Sequence, residues 1–132
     1  MKMNIDHHFI FLIVPSKAPE QFQCIQETSK SIKLTWNLLD ADSWNGIENG
    51  YEIEYRIYGT TNSSFVKYPS DQRSVSLSGL SPFTRYEIYI RARTQLGPGP
   101  REWCVQSTQE GGMFSLCSKS NFIIFKIKIK IT

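Results

Sequence analysis

Residues 80–93 read Leu80-Ser81-Pro82-Phe83-Thr84-Arg85-Tyr86-Glu87-Ile88-Tyr89-Ile90-Arg91-Ala92-Arg93. From Tyr86 onward the apolar side chains fall on every second residue, with Tyr86, Ile88, Ile90 and Ala92 on one face and Glu87, Tyr89, Arg91 and Arg93 on the other. That period of two is the mark of a strand buried on one side. A slip of one residue would turn the whole apolar row to solvent, so the register is strongly specified.

The same alternation recurs upstream. Tyr51, Ile53, Tyr55 and Ile57 share a face, opposed by Glu52, Glu54, Arg56 and Tyr58, and Ile32, Leu34 and Trp36 alternate with Lys33 and Thr35. Shorter candidates lie at residues 22–25, 65–68, 74–77 and 103–108. Turn residues separate these runs: Asn45-Gly46, Asn49-Gly50, the polar stretch 59–64, Pro69-Ser70-Asp71, and Gly97-Pro98-Gly99-Pro100 before the last strand. Glycine supplies positive φ and proline fixes its own φ while removing a donor, so each cluster halts a ladder. No segment shows a helical period with caps. Seven short strands with turns at this spacing predict an all-β, seven-stranded antiparallel sandwich over residues 15–110.

At 132 residues the chain is long enough for one core. Its net charge of +3 is unevenly placed. Residues 15–112 hold ten Lys or Arg against eleven Asp or Glu, whereas Lys119, Lys126, Lys128 and Lys130 give the C-terminal stretch four positive charges and no acid. The basic excess therefore lies outside the expected domain and argues against a nucleic-acid partner. Residues 1–14 and 111–132 are foreign to the centre in composition, rich in Ile, Phe, Lys and Asn, and are read as tails of the kind that translated AT-rich non-coding sequence yields. The apolar run at 9–14 is six residues, short of the about 7–15 of a signal peptide. No segment reaches the about 20 apolar residues of a membrane span.

Chemistry-bearing constellations are absent from residues 15–110. The only histidines, His7 and His8, lie in the N-terminal tail, so no Ser/His/Asp or Cys/His arrangement supplies a base near neutral pH. Glu52 and Glu54 are expected on an exposed face without burial to alter them. The 97–100 stretch has prolines where a phosphate loop needs N–H donors. No CxxC pair occurs, and no catalytic residue, cofactor or metal site is expected. Asn62-Ser63-Ser64 is the single glycosylation sequon and falls on a hairpin tip. Trp44, in the loop between the second and third strands, is either a binding-loop anchor or a lid folded over the end of the sandwich; buried area favours the lid.

The segment Leu80-Ser81-Pro82-Phe83-Thr84-Arg85-Tyr86, with Pro15 and Pro19, Trp36, Asn49-Gly50-Tyr51, Ala92, the 97–100 turn and Thr108, resembles the fibronectin type III family along nearly all of residues 15–110. The resemblance implies a tyrosine corner at Tyr86, its hydroxyl bonded to upstream backbone. It implies a structural core of Trp36, Tyr51, Tyr55, Leu80, Pro82, Tyr86, Ile88 and Ile90. It places the strands of Glu52/Glu54 and Arg91/Arg93 side by side, so that these charges pair across the sheet. Cys24 and Cys104 fall on the first and last strands, which run near each other at one edge of such sandwiches, so a bridge is conceivable; because the family usually lacks disulfides, free buried thiols are the expectation.

The function implied is a non-catalytic binding and spacing module, as in tandem arrays of adhesion receptors and receptor tyrosine phosphatases. Its partners would be other protein domains, at the cell surface or outside the cell, with the membrane met only through a segment of a longer parent. The alternatives are an intracellular structural module of a muscle or cytoskeletal type, and an accessory domain of a larger enzyme.

Overall fold

The computed structural model describes residues 14–110. Seven strands and one short helix follow in order: β1 (Gln23–Thr28), β2 (Ser31–Thr35), α1 (Ala41–Trp44), β3 (Glu48–Ile57), β4 (Ser64–Tyr68), β5 (Ser74–Leu77), β6 (Arg85–Thr94) and β7 (Gly97–Ser107). They form two antiparallel sheets, one of order β1-β2-β5 and one of order β4-β3-β6-β7. This is the sandwich that the alternating runs predict.

The two inner faces meet in one core. Ile32, Leu34 and Leu77 from the three-stranded sheet face Tyr51, Ile53, Ile88, Ile90 and Ala92 from the four-stranded one. Pairing keeps the inward rows in register, with Leu34 opposite Val75 and Ile53 opposite Ile90. Trp36 and Trp44 each lie 5.5 Å from the Tyr51 ring, and this aromatic trio closes one end of the sandwich. At the other end Tyr55 and Tyr86 lie 6.5 Å apart.

Two tyrosine hydroxyls tie loops to that core. The Ser81 N–H donates to the Tyr86 hydroxyl at 2.9 Å, five residues upstream. The Leu39 N–H donates to the Tyr51 hydroxyl at 2.9 Å in a fully buried bond. Both loops carry the chain from one sheet to the other, where backbone donors have no ladder partner and need another acceptor. Thr108 closes the far end: its hydroxyl donates to the Ser81 carbonyl at 2.7 Å and accepts from the Thr84 N–H at 3.0 Å.

Five expectations are corrected. Residues 97–100 are not a turn; Gly97 pairs with Thr94 and Pro98 with Arg93, so β7 begins at Gly97 and the turn is Gln95-Leu96. Proline is tolerated there because β7 is an edge strand. A helical turn, α1, does form between β2 and β3, ending at Asn45 in the left-handed conformation with φ 59°. Pro82 is exposed rather than core, because its segment curls outward and its carbonyl accepts the Thr84 hydroxyl at 2.8 Å. Ile57 keeps the alternation yet is exposed, whereas Tyr55 is partly buried and packs against the core.

The fifth correction concerns sulfur. Cys24 and Cys104 are joined by a disulfide, with Cα atoms 6.3 Å apart and a sequence separation of 80. The geometry permits this because β1 and β7 are edge strands of different sheets and meet along one side. Gln106 Nε2 donates to the Cys24 carbonyl at 3.1 Å and Gln26 Nε2 to the Ser107 carbonyl at 3.1 Å, which stitch the same seam. His7, His8 and the tail lysines Lys119, Lys126, Lys128 and Lys130 lie outside the described residues.

Candidate interaction face

The outer face of the four-stranded sheet carries the side chains that alternate with the core. Register aligns them in rows across the strands. One row runs Phe65, Glu54, Tyr89, Trp103; the next runs Lys67, Glu52, Arg91, Arg101. Arg56 stands opposite Glu87 in a third.

The charges interlock. Glu52 Oε1 accepts from Arg91 Nε at 2.8 Å and from Arg93 at 3.2 Å. Glu54 meets Arg101 at 3.2 Å and Arg56 at 3.7 Å. Arg56 Nε donates to Glu87 at 2.7 Å, and that bond holds the Arg56 guanidinium above its ordinary pKa. Ser63 donates to Glu54 at 2.8 Å, linking the sequon loop to the same network.

Glu52 therefore pairs as the resemblance implies, whereas Glu54 turns to Arg101 and Arg56. Nor is Glu52 exposed as alternation suggests; it is 7% accessible, covered by the two arginine stems.

Tyr89 sits at the centre of this network. The Arg56 guanidinium lies 5.2 Å from its ring centroid and that of Arg101 4.1 Å, two cation–π contacts to one ring, and Arg56 also donates to its hydroxyl at 3.1 Å. Beside it Trp103 is 60% exposed and Phe65 54%. Tyr58, 48% exposed, stacks under Arg85 at 4.8 Å. Tyr58, Glu87, Tyr89, Arg101, Trp103 and Val105 line an open depression. Arginines held in place by carboxylates and rings lose little freedom on binding, and exposed Trp, Tyr and Arg are the residue types that dominate binding energy at protein interfaces.

Trp103 and Arg101 escaped the sequence reading. The signal was present: Cys104 points inward, so Trp103 must point outward, and a large aromatic side chain at an outward strand position is uncommon enough to mark a surface. Trp44, by contrast, is 3% exposed. As an exposed loop anchor it is excluded, because α1 folds its indole onto Tyr51, where burial contributes roughly 2–3 kcal/mol. Asn62 is exposed on the loop between β3 and β4. Among the described residues no group of three or more His, Cys, Asp or Glu side chains is placed to hold a metal ion, and no helix is long and apolar enough to cross a membrane.

The family described as Fibronectin type III domain matches residues 17–108. Receptor-type tyrosine-protein phosphatase F of Mus musculus is 33% identical over 89 residues, which cover 65% of this chain and 5% of that protein. The cell adhesion molecule DSCAM of Homo sapiens is 32% identical over 90 residues, 67% of this chain and 4% of that protein. The chain thus spans about one-twentieth of the length of these relatives. The fn3 domain of human contactin 1 superposes with a TM-score of 0.67 at 25% identity, covering 74% of this chain and 82% of that one. The third fibronectin III domain of the human KIAA0343 protein does so at 0.69 and 23% identity, covering 75% and 86%.

Proposed function

This chain belongs to the fibronectin type III family, and from that premise we propose that it is a non-catalytic protein-binding and spacing module of a cell-surface or secreted ectodomain. The observation that carries the binding role is the face built around Tyr89 and Trp103. Its guanidinium and aromatic groups are pre-positioned, and three of its aromatic rings stay about half exposed or more although the domain has a filled core. The spacing role follows from the fold's shape and from relatives in which such a unit is a small part of a long receptor.

The exterior setting is supported by the Cys24–Cys104 bond, since disulfides persist in oxidising compartments and are rare in the cytosol. An intracellular muscle-type module has no comparable observation in its favour. The exposed sequon at Asn62 fits the same setting.

Two measurements test the reading. Peptide mapping of the full chain secreted from cultured animal cells is expected to find a glycan on Asn62 and oxidised Cys24 and Cys104; reduced cysteines and bare Asn62 would favour the intracellular reading. Surfaces coated with the chain are expected to hold cells, and Trp103→Ala with Arg101→Ala to release them. Equal adhesion by parent and variant would remove the face from the proposal.

A further inference from the structure

The depression beside Tyr89 holds about 370 Å³ and lies between two ring platforms. Trp103 stands next to Tyr89 by register, and Tyr58 lies against Arg85, four residues earlier on β6. At about 3.4 Å per strand residue, the platforms are about 13 Å apart. Glu87 and Val105, paired across β6 and β7, occupy the row between them. Trp103 and Tyr58 are the exposed rings of this lining.

The two charged groups of the lining are of opposite sign, and each is already held. Arg56 Nε donates to Glu87 at 2.7 Å, and Arg101 meets Glu54 at 3.2 Å. A charged ligand group would have to displace one of these partners, so the depression suits an uncharged one. Its spare hydrogen-bonding capacity is on the donor side. The Trp103 indole N–H and the Tyr58 hydroxyl make no hydrogen bond among the described residues. Arg101 keeps N–H groups beyond the one directed at Glu54. The place therefore offers flat rings and donors, and a matching ligand brings apolar rings and acceptors.

On the footing that the face around Tyr89 and Trp103 binds protein, we infer that its depression receives a proline-rich segment in the polyproline II conformation. Proline lacks a backbone N–H, so such a segment presents carbonyl acceptors and apolar rings with few donors of its own. Its prolyl rings lie on Trp103 and Tyr58, while its carbonyls accept from Trp103 Nε1 and Arg101. About five or six residues, rising about 3.1 Å each, reach from one platform to the other. The segment is extended before it binds and loses little freedom, which suits a depression too open to enclose its ligand. A helix is disfavoured, because its apolar stripe needs a groove and this lining is a set of rings standing on a sheet.

The test is titration of the ¹⁵N-labelled full chain with acetylated decaproline, read by NMR. Expected is a saturable shift of the Trp103 indole N–H, with the buried Trp36 and Trp44 indoles as unshifted internal controls. Trp103→Ala and Tyr58→Ala, at exposed positions, are each expected to weaken binding about tenfold or more with the remaining spectrum preserved. Trp103→Phe keeps a ring and loses the donor, and is expected to bind between the parent and Trp103→Ala. A Trp103 indole that stays unshifted overturns the polyproline assignment. If cell adhesion still falls in the Trp103→Ala, Arg101→Ala variant, the binding role of the face survives that result; if adhesion is equal, both fall. Unchanged affinity in the Tyr58→Ala, Trp103→Ala double variant overturns the site, as does equal binding of a glycine–serine peptide of the same length. Tighter binding of a neutral oligosaccharide, cellohexaose, to the same resonances overturns the choice of ligand.

Discussion

Cys24 on β1 and Cys104 on β7 are covalently joined across the side of the sandwich where the two sheets meet. No backbone ladder runs between those sheets, so along that side β1 and the β7 segment are tied by the bond, by the Gln106 and Gln26 side chains and by one backbone bond from the Gln109 N–H to the Thr28 carbonyl. The loop it closes is long, and cross-linking a long loop removes much entropy from the unfolded chain.

Replacing both cysteines by alanine is therefore expected to cost about 2–4 kcal/mol in urea unfolding. Reductant should lower the parent's midpoint by a similar amount and leave the double variant's unmoved. A parent insensitive to reductant would show that the bond contributes nothing.

The two buried hydroxyls give a ranked prediction. Tyr51→Phe strands the Leu39 N–H in a fully buried setting, whereas Tyr86→Phe strands the Ser81 N–H in a partly buried one. An unsatisfied buried donor costs about 1–3 kcal/mol. Denaturant unfolding should place Tyr51→Phe toward the upper end and Tyr86→Phe toward the lower, and the reverse order would contradict the assignment of burial as the deciding factor.

Burial raises the pKa of Tyr51 above its ordinary 10.0; the Leu39 N–H partly offsets this and the Glu48 charge adds to it. Burial raises Tyr68 in the same direction. A folded-state pKa above the unfolded one means that the folded chain keeps its proton where the unfolded chain loses it. The contribution is whole below the unfolded pKa and is lost as pH rises from there through the folded value. Stability is expected to hold to roughly pH 9 and then to fall. Tyr51→Phe should flatten that fall, as followed by urea unfolding at stepped alkaline pH.

Two glycines with the same φ of 83° separate steric from conformational cost. A Cβ on Gly50 would lie 2.1 Å from the Tyr68 carbonyl oxygen, where β3 carries a register shift, while one on Gly59 meets nothing within 4 Å. Gly59→Ala is expected to cost about 1–2 kcal/mol for the left-handed backbone alone. Gly50→Ala should cost more than that, since backbone must move, and thermal unfolding of the two variants compares them directly.

Residues 51–57 and 86–93 show how much was legible beforehand. Their alternation assigns each side chain to a face without reference to any other strand, and from Tyr51 through Ile53 and from Tyr86 through Ala92 the inward row is buried as that pattern requires. Where the pattern ran out was at the ends. Ile57 keeps the alternation but is exposed, because burial at the end of a strand depends on what packs over it, and nothing in residues 51–57 encodes that. Pro98 and Pro100 read as strand breakers and lie in a strand, because only its place at the sheet edge decides whether a missing N–H matters.

The order of apolar and polar residues, with glycine and proline between the runs, was enough to settle the number of strands, their faces and the sandwich they form, because side-chain direction along a strand is a local property with a period of two. Which distant strands became neighbours was decided only by closure of the two sheets. That closure brought Cys104 to Cys24 across 80 residues, set Arg101 over Tyr89, covered Glu52 and folded Trp44 inward. Each of these depends on distances between segments far apart in the chain, and such distances exist only once the chain has packed.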